Sequence, residues 1–404
     1  MVCRGRFFHV RCACHIFNLA VKAGMDVCGL NDHISKIRYV INTLRTNKRM
    51  KVRYAGFCSG QEIDQRPPPL DCPTRWNSTY KMLHRALKVS RALTHMYNNI
   101  ISPDAPSLGL IDDEDWEKTK AMRRILNAFL KPTEHLSGSY YPTSNCVLPH
   151  LVEIMAVLKK YEHVDGLHST VEAMTRKLRD YFVPIPPLFY IATMVDPQWK
   201  MEGTLPLLID FYQSCDIADP VTQAEMYHQE MLGLLKDLYR YHRSQDQAQT
   251  NRPTTSSHSS GMFKRSRQIT QGVGTSRAAT NESFSDLLVY EGQDGDYDVD
   301  DEFAVLKWWK ENARSMPVLS LVARDLLAAP ASTVSSESAF SSGGRVINIH
   351  RHSLKPETVE ACICLKDWRD AEVRRQSDPH FWCPDDSESS GTSHESTSPP
   401  DMQP

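Results

Sequence analysis

The chain has 404 residues, 41% of them apolar and 24% charged, with a formal net charge of -2. That length and apolar share suffice for a sizeable core in two or three domains, and the balanced charge leaves any nucleic-acid contact to local clusters of Lys and Arg. The 11 cysteines show no paired framework spacing, which excludes a disulfide scaffold and fits a reducing, intracellular compartment; the longest apolar runs, such as Pro184 to Val195, are too short and too proline-broken to span a bilayer.

The chain opens on Phe7-Phe-His-Val10, read as a short buried strand or its end, followed by a helix from Arg11 to Val21. Ile34, Ile37, Ile41 and Leu44 recur at three-and-four spacing with Val40 beside them, which predicts a second helix. Behind it lies a basic tract containing Arg45, Lys48, Arg49, Lys51 and Arg53. Gln65-Arg-Pro-Pro-Pro-Leu70 must be a loop, because consecutive prolines lack donors and fix an extended backbone. A helix with Met82, Leu83, Leu87, Ala92 and Leu93 follows, and further helical patterns occupy about Trp116 to Leu136, Val147 to Tyr161, Ser169 to Tyr181 and Ala224 to Tyr241.

From Ser244 to about Asn281 the sequence turns to Ser, Thr, Gln and Arg, a composition too poor in apolar side chains to offset the entropy of ordering. An acidic run from Glu291 to Glu302 places carboxylates ahead of a helix carrying Phe303, Leu306, Trp308 and Trp309. Pro317 opens the next helix, with Leu319, Val322, Ala323 and Leu326 in one stripe, and Pro330 stops it. A third helix holds Glu337 and Phe340 and can be capped by Gly343-Gly344. A fourth starts at Pro356 and runs through Val359, Cys362, Ile363 and Trp368. The tail after Pro384 is rich in Ser, Asp and Pro and is expected to be disordered.

Three blocks in this order resemble the hAT family of DNA transposases and their host-derived relatives, especially the plant group with BED zinc fingers known as the ricesleeper type. They are Phe8 to Leu19, Pro73-Thr-Arg-Trp-Asn-Ser-Thr79, and the run from Trp308-Trp309 through Pro317 to Asp325 and Ser332 to Ser341 as far as Asp367-Trp368. Phe129-Leu-Lys-Pro-Thr133, Tyr141-Pro-Thr-Ser-Asn145 and Met194-Val-Asp-Pro-Gln-Trp-Lys200 also look like the family. The resemblance implies a mainly α fold of α+β ancestry: an incomplete ribonuclease-H-like core, interrupted by a long helical insertion, and a C-terminal helical dimerisation unit. The boundaries expected are 1–25 for the core remnant, 26–243 for the insertion, 244–300 for a disordered, partly acidic linker, 301–371 for dimerisation and 372–404 for a disordered tail.

The ancestral chemistry implied is DNA cutting by three carboxylates holding divalent metal ions such as magnesium, hard oxygen ligands that let the metals stabilise the attacking and leaving oxygens. Glu337 matches the third acid. The other two would precede the Cys12-x-x-His15 block, where no Asp or Glu occurs before Asp26, and no BED finger is present. The expectation is a nuclear, transposase-derived protein without cofactor or catalysis in this form, with a truncated gene model of an active transposase as the alternative.

Each candidate residue also has a plainer reading. Cys12 and His15 share a helical face, but zinc wants four ligands and no second pair stands at suitable spacing; packing near the degraded site competes with a place beside DNA. Arg75-Trp76 offers a guanidinium for phosphate and an indole for stacking on a base, against a core tryptophan beside a surface arginine. The basic tract, with Lys81, Arg85, Lys88 and Arg91 later, tracks a phosphate backbone or is a solvated face. Trp308, Trp309, Leu319, Val322, Ala323, Leu326 and Phe340 are core residues of a helical unit first, and by resemblance bury surface in a homodimer or larger homo-oligomer. Asp196, before Pro197, reads as a turn or capping aspartate.

Overall fold

The computed structural model describes residues 10–27, 31–72, 76–101, 109–250, 284–295, 297–298, 301, 303–334, 336–337, 341 and 354–377. These residues are overwhelmingly helical and contain no strand, so the expected sheet of a ribonuclease-H-like core is not found among them; Phe7 to His9 lie outside. The chain divides into two compact units, Met1–Ser335 and Ser336–Pro404. The break falls inside the expected dimerisation region of 301–371 rather than at its start.

In the first unit, α1 (Ala13–Met25) begins at Cys12, whose sulfur accepts from the His15 amide at 3.4 Å. Ile16, Phe17, Ala20 and Val21 face inward, the three-and-four spacing of an amphipathic helix. α2 (Asn31–Thr46) buries Ile34, Ile37, Val40, Ile41 and Leu44 as expected. Asn47 ends it and starts α3 (Lys48–Gly60) by accepting from the Arg49 and Met50 amides at 3.0 and 3.3 Å. After the proline loop come α4 (Trp76–Lys88), α5 (Ser90–Met96) and α6 (Asp113–Leu136), the last opened by a reciprocal capping box between Asp112 and Asp115. Lys36 reaches Asp115 at 2.8 Å and pins α2 to this start.

α7 (Val147–Tyr161), α8 (His168–Phe182), α9 (Pro187–Met194), α10 (Lys200–Ser214) and α11 (Pro220–Thr250) complete the helical body. α1 lies along α8 and α6, with the Phe17 ring 6.1 Å from both Phe129 and Phe182. The remnant of 1–25 is therefore not separate from the insertion of 26–243: α1 packs along α8 and α6.

The linker expected over 244–300 is corrected at both ends. α11 continues to Thr250, and Ser285–Gly292 forms α12, burying Leu287 and Tyr290; residues 251–283 lie outside the described residues. α13 (Ala304–Asn312) and α14 (Pro317–Leu327) follow, and Asp286 caps α14 by accepting from the Val318 and Leu319 amides at 2.9 and 3.1 Å.

The strap from α12 to α13 is fastened to the Met194–Lys200 block. Tyr290 donates to the Met194 carbonyl at 3.2 Å, Trp309 to the Val195 carbonyl at 2.9 Å, and Tyr297 to Asp196 at 2.7 Å. Asn145 donates to the other Asp196 oxygen at 2.8 Å, and the Gln198 amide closes the turn at 3.0 Å. Burial pushes the Asp196 carboxyl above its ordinary range against the pull of these donors. Its role is the turn aspartate expected, with two long-range anchors added. At Gly295 the strap runs so close that a methyl group would strike the Pro197 carbonyl.

In the second unit, α15 (Pro356–Ser377) carries Val359, Ile363, Leu365 and Trp368. Among the described residues no helix is long and apolar enough to cross a membrane.

Candidate nucleic-acid interface and self-association surface

The corner between α2 and α3 concentrates positive charge. Arg45, Lys48, Arg49, Lys51 and Arg53 are all exposed, and none is held in an ion pair within the described residues. Arg45 sits in the last turn of α2, where the helix dipole favours a cation. Lys48, Arg49 and Lys51 crowd the start of α3, the positive end, with no acid in its first turn. Each cation there opposes its own helix by roughly 0.3–1 kcal/mol. Asn47 keeps the corner tight, and Val52, 72% exposed, stands between Lys51 and Arg53.

The second block lies on a clamped loop. Asp71 is buried and takes a two-pronged contact from Arg38, with Nε at 3.0 Å and Nη2 at 2.7 Å, and a third donor from the Thr79 hydroxyl at 2.7 Å. Burial alone raises the Asp71 carboxyl, but Arg38 and Thr79 hold it below the ordinary carboxylate range. Ser78 closes the same loop through both polar groups of Cys72, accepting from its amide at 2.7 Å and donating to its carbonyl at 3.1 Å. Arg75 lies outside the described residues. Trp76 is corrected: at 8% exposure it points inward with Thr79, Met82, Leu83 and Ala86, so its ring offers no open face to a base. Lys81, Lys88 and Arg91 are exposed, whereas Arg85 is tied to Asp64 at 2.6 Å.

Cys12 is half-buried and caps a helix. Its sulfur accepts from two backbone amides, His15 and, at 3.3 Å, Thr333, and Ala13 donates to the Ala331 carbonyl at 2.9 Å. The first block and the Ser332 segment of the third therefore meet. His15 is exposed beside Cys12. Glu337 is exposed on a helical turn of the second unit. The divalent metals that the resemblance implies find no matching set here, since no group of three or more His, Cys, Asp or Glu is placed to hold a metal ion among the described residues. No catalytic step is derived through them.

The expected dimerisation stripe faces the wrong way for a partner. Trp308, Trp309, Leu319, Val322, Ala323 and Leu326 are between 0 and 7% exposed, and the chain's own residues cover them: Tyr290 stacks on Trp309 at 5.2 Å, and Trp308 donates to the Asp294 carbonyl at 3.1 Å. Phe340 lies outside the described residues. The open apolar surface is on α15 instead, where Leu365, Trp368 and Val373 are 60, 66 and 57% exposed. Val359 and Trp368 lie nine residues apart, so at about 100° per residue they occupy opposite sides of the helix. A helix apolar on opposite sides is stable in water only when covered on both.

Residues 286–369 match the hAT family C-terminal dimerisation region, and residues 10–125 match the ZBED1 RNase-like helical domain. Among curated proteins, the chain is 30% identical over 392 residues to a putative AC transposase of Zea mays, covering 91% of this chain and 45% of that protein. It is 28% identical to a putative AC9 transposase of Zea mays, covering 91% and 46%. It is also 28% identical to the zinc finger BED domain-containing protein RICESLEEPER 3 of Oryza sativa subsp. japonica, covering 90% and 48%. The chain spans about half the length of these relatives.

Proposed function

The chain belongs to the hAT family of transposase-related proteins and carries its C-terminal dimerisation region, and from that premise we propose that it acts in the nucleus as a self-associating, DNA-binding protein that does not cut DNA in this form. The observation that carries the reading is α15. It lies within the matched dimerisation region and leaves Leu365, Trp368 and Val373 open on a helix with apolar residues on opposite sides. A second copy of the chain is the partner that such a region implies. Ancestry in a ribonuclease-H-like core, of which α1 is the retained helix, is supported by the RNase-like description of the domain matched over 10–125.

The test of self-association is the mass in solution of the full chain and of Leu365→Asp/Trp368→Asp. A carboxylate forced into a dry interface loses its hydration, so the variant is expected to shift from dimer or larger to monomer. An unchanged mass for the variant removes α15 as the interface.

DNA contact is assigned to the α2–α3 corner. Three cations crowd the positive end of α3 without counter-charge, an arrangement that opposes the helix and that a phosphate backbone relieves. The expected signature is electrostatic: duplex affinity falls as salt rises, and Lys48→Ala/Arg49→Ala/Lys51→Ala lowers the log–log salt slope by about 3, one for each phosphate contact removed. A slope identical to wild type would show that these residues touch no phosphate.

No cofactor is needed for the role proposed. The half-length match to the relatives favours one second reading, in which this is a piece of a metal-dependent transposase whose first two acids and BED finger are encoded upstream. Transcript sequence before Met1 decides between them: an open frame with two strand-borne Asp residues and a Cys/His finger establishes the second reading, and an in-frame stop codon removes it.

A further inference from the structure

His135, at the end of α6, and His150, on α7, face each other with Nδ1 of the first 2.8 Å from Nε2 of the second. Glu153 lies 3.1 Å from the remaining His150 nitrogen. A contact that short needs one N–H and one lone pair. The pair accommodates one extra proton by switching which nitrogen donates. With both rings charged, two N–H groups point at each other and the contact cannot persist.

The surroundings offer little to hold a second charge. Glu153 is the acid facing the pair; Lys131 of α6 faces Glu153, Tyr141 stacks on His135 with ring centres 5.4 Å apart, and Cys14 of α1 lies 3.7 and 3.6 Å from the neighbouring Thr133 carbonyl and Ser137 hydroxyl. Cys146, just before α7, is half-buried and feels the charge of Glu153. Burial, and then the charge of His150, lower the His135 value, while Glu153 opposes them.

The pair holds a loop that in turn holds another segment. Tyr141 donates to the His135 carbonyl at 2.8 Å. Two residues on, the Thr143 hydroxyl accepts from the Ala331 amide at 2.9 Å, and the Ser144 hydroxyl donates to the Leu326 carbonyl at 3.1 Å. Ala331 also accepts the Ala13 amide. Through this loop the two rings fix the stretch that ends α14 and meets α1.

We propose that His135, His150 and Glu153 form a pH-operated clamp on residues 326–331, closed when the pair carries at most one extra proton and released by the second. The sign follows from the lowered His135 value: the folded chain resists a proton that the unfolded chain accepts, so the stabilisation is complete above the ordinary histidine value of about 6.5 and is lost as pH falls below it. Glu153, held below its ordinary range mainly by His150, loses its contribution in the same direction at lower pH.

The test is hydrogen exchange on the full chain between about pH 7.5 and about pH 5, bracketing that value, read as protection corrected for intrinsic rates. Protection over 139–146 and 326–334 is expected to fall about tenfold per unit of His135 depression, while α8 holds. His150→Gln, which keeps a polar side chain and removes the charge, is expected to flatten the profile. An equal pH response in wild type and variant overturns the proposal, as does unchanged protection in the wild type. Should the variant not fold, imidazole resonances of the wild type decide: one ring titrating well below the other supports the clamp, and two independent titrations near the ordinary value overturn it.

Discussion

Replacing Trp309 with alanine is expected to destabilise the whole first unit by about 3–5 kcal/mol, the range for a large aromatic removed from a packed core. Trp309 is 5% exposed, stacks on Tyr290 and donates to the Val195 carbonyl. Its loss opens a cavity and also leaves that buried carbonyl without its donor, which adds a further penalty. Domains hold only about 5–15 kcal/mol in total, so the variant stands close to the unfolding threshold. Denaturant melting should show a lower midpoint in helices as distant in sequence as α9, because α13 and that region share one core. A fragment of 290–371 should melt without cooperativity, since Trp309 would lose its acceptor at Val195 and α14 its Asp286 cap and its packing on α9 and α11. Loss of structure limited to α12–α14 in Trp309→Ala would refute this shared core.

Replacing Arg38 with methionine is expected to cost about 3–5 kcal/mol, the range for breaking a buried ion pair by removing one partner. The two sides of the pair are unequal. Asp71 has a side chain only 1% exposed, whereas that of Arg38 is 27% exposed. Without Arg38 the carboxylate is stranded; without the carboxylate the guanidinium turns partly to water. Asp71→Asn should therefore cost less, and equal losses would mean that burial of Asp71 is not what decides the energy. The pH dependence has a defined sign, because the Asp71 carboxyl is held below its ordinary value. Its stabilisation is present above about pH 4, the ordinary carboxylate range, and is lost as pH falls through the lower folded value. Arg38→Met should remove that acid-side slope in urea titrations at successive pH values.

The long helices were legible because their periodicity runs over three or more turns. Val147–Tyr161 matches its pattern to the residue, and Pro317 and Pro356 start α14 and α15 as first-turn prolines should. α12 was hidden because its eight residues follow a long polar stretch, and the composition of that stretch governs any window placed across it. Trp76 illustrates a different difficulty. A tryptophan beside an arginine suits a stacking platform, yet its spacing to Thr79, Met82, Leu83 and Ala86 already put it on the inward stripe.

The stripe of Leu319, Val322, Ala323 and Leu326 shows the limit of periodicity itself. Amphipathic spacing says that a face is buried and is silent on what buries it. Here the cover is the chain's own α9, α11, α12 and α13, which leaves α15 with open apolar surface. No pattern announces the His135–His150 pair or the Tyr297–Asp196 anchor, because each joins residues across a loop or a long insertion. Such contacts exist only once the helices have packed.

The most direct test of the account is the mass of the unmodified full chain by sedimentation equilibrium over a wide concentration range. Self-association through α15 predicts a dimer or larger species that dissociates on dilution, with residues 354–377 gaining hydrogen-exchange protection as it forms. A monomer of 46.0 kDa at every concentration would contradict it.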